Sequence, residues 1–182
     1  MLILYAVVIG IVAGYLLGGR LEGLGAMGFH WAPVAITGLA VQLAIFGPLD
    51  SVVGSAGLPL YIGSTIAVLA AVIRNIRIRG LALVVAGTVS NLAAILANGG
   101  VMPADPGAAT LAGIEHGPGF SNSAVITSPA LQPLTDIFAL PAAVPLANVF
   151  SVGDVLIGVG IGIAIAAGMR QGRALRGDNS YD

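Results

Sequence analysis

The order of apolar and polar positions divides the chain before any single residue is considered. Five stretches are long and apolar enough to read as membrane-crossing helices: residues 2–18, 32–49, 58–76, 81–97 and 154–169. A hydrocarbon core takes about 20 apolar helical residues, with roughly 17 to 25 as the workable range. The first and last stretches fall at or below the short end, so local thinning of the bilayer or little tilt is expected there. The pattern predicts an all-α, polytopic transmembrane helix bundle, one membrane domain over residues 1–182. A long loop covers 98–153 and a tail covers 170–182. No basic residue precedes the first apolar run, so it lacks the positive region of a cleavable signal and reads as a retained span.

One part of the long loop, Leu131 to Phe150, is apolar as well. It contains Asp136 and the prolines Pro133, Pro141 and Pro145, which cannot propagate a helix. A short helix or loop resting on the surface is expected there, and not a sixth span.

Charge gives the bundle a direction. All seven basic residues are arginines. Arg20 separates the first two stretches, Arg74, Arg77 and Arg79 separate the third and fourth, and Arg170, Arg173 and Arg176 follow the fifth. The other connections hold none. Positive loops stay in the cytoplasm, which predicts an outer N-terminus, five spans and a cytoplasmic C-terminus. Trp31, Tyr5 and Tyr61 fall near predicted span ends, where amphipathic rings favour the interface.

Composition agrees. The chain is 57% hydrophobic and 8% charged, against about 25% charged in soluble domains. Lipid must therefore be the solvent for most of it. The absence of cysteine excludes disulfides and thiolate chemistry. A net charge of −1 and a single tryptophan give no basic surface and no stacking platform, so no nucleic-acid partner is expected.

Small residues recur at one-turn spacing: Gly10, Gly14 and Gly18; Ala82, Ala86, Ser90 and Ala94; and two stripes in the last stretch, Gly158–Gly162–Ala166 and Gly160–Ala164–Gly168. Such stripes let helix backbones approach closely, within the chain or across a homodimer. Gln42 and Asn91 each lie about ten residues into spans rising from the same side, roughly 15 Å deep. At equal depth they are expected to bond each other or to line a polar path. No ionisable group lies in the interior of a predicted span, which counts against a proton pump.

Chemistry is concentrated on the outer side. Asn98-Gly99-Gly100 with Pro103 reads as a helix stop. Ser151 with Asp154 has capping-box spacing, with Asp in place of the usual Glu or Gln. Asp50, Asp105, Glu115, His116 and Asn122 complete the outer polar set. Acidic groups without basic partners suit a hard cation, yet no dense ligand string is present, so neither a metal nor a cofactor is expected. His116 and the serines Ser121, Ser123 and Ser128 lack a nucleophile-elbow pattern. With no Arg or Lys on that side, an outer enzyme handling phosphate has nothing to stabilise the anion.

Three motifs occur in order: Asn98-Gly99-Gly100-x-Met102-Pro103 after a span, Asp136-Ile137 leading to Pro141, and Asn148-Val149-Phe150-Ser151-x-Gly153-Asp154 opening the last span. In these the chain resembles a family of small bacterial multi-span membrane proteins that is labelled only as a domain of unknown function. The resemblance implies a bacterial cytoplasmic-membrane protein and assigns no activity. It also implies that Asn98, Asp136, Asn148, Ser151 and Asp154 gather on the outer face. The leading reading is a non-enzymatic accessory or structural membrane protein, its partners the bilayer and either a second copy or another membrane protein. The alternative is a carrier or channel for a small neutral solute using Gln42, Asn91, Thr88 and Ser64. A membrane enzyme with an outer Asp/Asn site stands third.

Overall fold

The computed structural model describes residues 2–114 and 121–177, with side chains up to Gln171. Glu115 and His116, and the side chains of Arg173 and Arg176, lie outside the described residues.

The apolar stretches are helices, with ends set by local chemistry. Helix α1 is Leu2–Leu16, and the chain leaves it through Gly18 at φ 75°. A single turn, α2 (Glu22–Gly25), leads to α3 (Ala32–Ile45), which starts with Pro33 in its first turn. The α3 helix ends four residues earlier than the apolar run, because Gly47-Pro48 follows. A 3-10 turn at Gly54–Ala56 feeds α4 (Gly57–Arg74), and α5 is Leu81–Ala97. The last helix, α7 (Val152–Gly177), begins two residues early and continues well into the expected tail. Among the described residues two helices are long and apolar enough to cross a membrane, 54–74 and 152–171. α1, α3 and α5 are shorter apolar helices.

The fold is mostly helical but not all-α. The expected long loop is a folded cap. Strand β1 (Met102–Ala104) pairs in parallel with β2 (Ser123–Val125), and β3 (Phe138–Leu140) pairs antiparallel with β4 (Asn148–Phe150). Between them sits α6 (Pro106–Ala112), capped at its start by Asp105, whose carboxylate accepts from Ala108 N at 2.9 Å. The cap has its own core of small residues, Ala104, Ala108, Ala109, Ala112 and Val149. Leu131–Phe150 holds a 3-10 turn at Gln132–Leu134 and the two strands, with no long helix.

α7 is the hub, packed on one side by α1 and on the other by α5. Its two glycine stripes divide the work. Gly162 meets α1 at Gly10, and Gly160 meets the residues that begin α5, Gly80 and Val84. A side chain at Gly14 would overlap Met169 Sδ. Gly18 lies past the end of α1 and is exposed, so the packed stripe is Gly10–Gly14, continued by Gly19 against Met169. On α5 the buried line is Val84, Gly87 and Ala94, whereas Ala82 and Ala86 are exposed. α3 packs chiefly on α4. Gln42 therefore donates to Thr65 Oγ1 of α4 at 3.1 Å and does not meet Asn91, whose bonds go to α7. Equal depth, as read from the sequence, does not make two helices neighbours.

Candidate functional site

At the cap end of α5 and α7, four hydrogen bonds join three side chains. Ser151 ends the cap and begins α7. Its hydroxyl accepts from Asp154 N at 3.0 Å, and Asp154 Oδ2 accepts from Ser151 N at 3.0 Å, a reciprocal capping pair. Ser151 Oγ also donates to Asn91 Oδ1 at 2.8 Å, and Asn91 Nδ2 donates to Asp154 Oδ1 at 2.8 Å. The helices can come this close because Gly87 and Gly153 face each other. A Cβ on Gly153 would overlap Asn91 Oδ1.

Asp136 reaches the same place from the cap. Its backbone is gripped on both sides: its N–H donates to Pro103 O at 2.9 Å, and its carbonyl accepts from Asp105 N at 3.0 Å. That grip extends the β1 edge and fixes where the carboxylate points. Asp136 is 7% exposed, and its Oδ1 is buried with no hydrogen-bond partner among the described residues. Burial, reinforced by the Asp154 carboxylate, pushes the Asp136 carboxyl from its ordinary 3.8 up to about 7.

These groups line one cavity of about 430 Å³ between the cap and helices α4, α5 and α7. Its polar wall is Tyr61, Asn91, Ser121, Asn122, Ser123, Asp136, Asn148 and Asp154, and its apolar wall includes Ile95, Met102, Ile114 and Val149. Of the residues the motifs singled out, Asp136, Asn148 and Asp154 line it, and Ser151 is tied to it through Asn91 and Asp154. Asn98 does not. It caps α5 and clamps the cap instead, donating to Ala94 O and Ala130 O and accepting from Ala130 N. Asn91, read from sequence as an intramembrane amide, belongs to this cavity; Gln42 is not among its lining residues. Tyr61 and Asn122 join it as well. Tyr61 reads in sequence only as an interfacial ring, and the pointer to its role is Thr65 one turn on, which puts a second hydroxyl on the same helix face.

At the other end of the bundle a wider cleft of about 1530 Å³ is lined by Arg74, Arg77, Arg79 and Arg170 with Asn75 and Gln171. Between cleft and cavity the same three helices carry an apolar layer that includes Val68 and Val72 of α4, Val84 and Val85 of α5, and Ile157 and Ile161 of α7. Among the described residues no three His, Cys, Asp or Glu side chains come together as a metal set would require.

Comparison with curated proteins and with solved structures gives no match. A family model covering residues 26–166, which include every residue lining the capped cavity, matches the chain: it belongs to the family of unknown function DUF5317.

Proposed function

We propose that this chain is a five-span protein of the bacterial cytoplasmic membrane, cap outside and carboxyl terminus inside, that binds a small polar solute in the capped cavity. It acts as a carrier or solute-binding component, without chemistry of its own. The orientation rests on the arginines, all of which fall on one side of the five apolar helices, away from the cap. Large apolar side chains left exposed on α1 and α3, among them Ile9, Leu16, Ile36 and Leu43, suit contact with lipid.

The observation that carries the solute-binding reading is the cavity itself. It gathers polar side chains from the cap and three separate helices, and one of them has an unused buried acceptor. From sequence alone an accessory or structural role leads. A scaffold has no need to hold an unpartnered carboxylate beside a cavity, since that costs about 1–3 kcal/mol. The second cleft, facing the first across an apolar layer on the same helices, favours a carrier over a simple receptor. An enzyme is disfavoured: the described wall offers two carboxylates, amides and the hydroxyls of Tyr61, Ser121 and Ser123, with no His, Lys or Arg and no metal set.

The test is a thermal-unfolding screen of the full chain in detergent against small polar solutes of every charge class, alongside Asn148→Phe, which fills the cavity. A solute that stabilises the natural protein and not the Asn148→Phe variant supports binding there. Absence of any stabilising solute, or equal stabilisation of both proteins, contradicts it.

A further inference from the structure

We propose that the capped cavity takes a small organic ammonium ion, an amine with a short apolar body, whose N–H groups donate to Asp136 Oδ1. This rests on the solute-binding reading above and adds the class of solute.

Among the described residues the polar wall carries no positive charge. Asn91 spends its amide N–H on Asp154 and its carbonyl on Ser151. Each Asp154 oxygen already accepts one bond. Among the described residues Asp136 Oδ1 alone is buried at the cavity wall without a partner. Two carboxylates line the space, and among the described lining residues there is no Arg, Lys or His. The described arginine side chains other than Arg20 line the cleft at the far end of the helices, and Arg20 pairs with Glu22. An anion would meet two carboxylates with nothing to offset them. A neutral hydroxyl could donate to Asp136 but would leave the pair without a counter-charge. An ammonium supplies both donors and charge, and such charge-assisted bonds are about twice as strong as neutral ones.

Size and shape narrow the class further. At about 430 Å³ the space is far larger than a bare metal ion and falls in the lower part of the range for small organic ligands. The apolar wall of Ile95, Met102, Ile114 and Val149 gives a hydrocarbon body somewhere to lie. Among the described residues no third acidic or imidazole side chain joins the two carboxylates.

The experiment uses the full chain in detergent and four probes: butylammonium, 1-butanol, butyrate and calcium. Butylammonium should raise the unfolding temperature and give saturable binding heat. Butanol and butyrate, which share its body, and calcium, which shares only its sign, should bind at least tenfold more weakly. In Asp136→Asn, whose fold is checked by its own melting transition, butylammonium binding should fall about tenfold or more, the loss of one charged hydrogen bond. Equal binding of butanol and butylammonium overturns the ammonium assignment and leaves the solute-binding reading standing. Preference for butyrate or calcium, or unchanged affinity in Asp136→Asn, overturns it as well. Binding of none of the four, when no other solute stabilises the protein either, removes both readings.

Discussion

Ser151 Oγ lies 2.8 Å from Asn91 Oδ1 and donates to it, so the residue that caps α7 is bonded to the cap-side half of α5. The same hydroxyl accepts from Asp154 N. One small side chain thus closes a helix terminus, joins two helices and sets the carboxylate beside the cavity.

Removing either partner should be costly, and removing both should cost less than the sum. Ser151→Ala loses a helix cap, about 1 kcal/mol. Asn91→Ala leaves the Asp154 carboxylate one donor short, about 1–3 kcal/mol. Melting of the two single variants and the double variant in detergent should give a coupling energy of about 0.5–3 kcal/mol. Strict additivity would mean that the bond contributes nothing.

Glycine substitutions should sort by what a Cβ would meet. Gly153→Ala overlaps Asn91 and should destabilise by about 1–3 kcal/mol, as overpacking does. Gly14→Leu runs into Met169 and should lower folded yield far more than Leu16→Ala, since Leu16 is exposed. Gly63 has nothing within 4 Å of its Cβ position. Gly63→Ala should be neutral, or stabilising by up to about 1 kcal/mol through helix propensity. Indistinguishable melting of the Gly153 and Gly63 variants would show that close packing at Gly153 is unimportant.

Asp136 should make stability depend on pH. Its folded carboxyl holds a proton up to about 7, whereas the unfolded carboxyl releases it near 3.8. The folded state therefore binds more protons across that window, and unfolding free energy should fall as pH rises from about 4 to about 7, then level. Asp136→Asn removes the titrating group, so it should flatten this slope and be the more stable protein at about pH 8. A natural protein that gains stability over the same window, or a variant with an unchanged slope, would count against the buried, unpaired carboxylate.

Orientation can be read with a reporter active only in the cytoplasm. Fused after Arg176 it should work, and fused at Pro118 it should fail. The opposite pattern would invert the bundle, and activity at both positions would discard the five-span arrangement.

The sequence carried the helices better than the cap. α5 is Leu81–Ala97, the residues its apolar run marks, because Gly80 and Asn98 punctuate it on both sides. The cap was hidden because its strands are three residues long, too short for alternation to show, and its core is built mainly of alanines. Spacing along a helix does not say which helices are neighbours, which is why Gln42 and Asn91 part company. Asp154 and Ser151 were visible through their capping spacing. Asp136 was visible as a carboxylate in an apolar stretch. That its oxygen would be left unpartnered depends on the backbone grip of Pro103 and Asp105, a contact between distant segments that spacing does not encode.

The most direct measurement uses the absence of cysteine. Asn148→Cys places a single thiol on the wall of the capped cavity. In intact cells it should react with a membrane-impermeant thiosulfonate, and a cationic reagent should react several-fold faster than an anionic one of equal size, because the wall carries two carboxylates. A solute that stabilises the protein should slow the labelling. Reaction only after the membrane is permeabilised, or an equal or faster rate with the anionic reagent, would contradict an outward-facing acidic cavity.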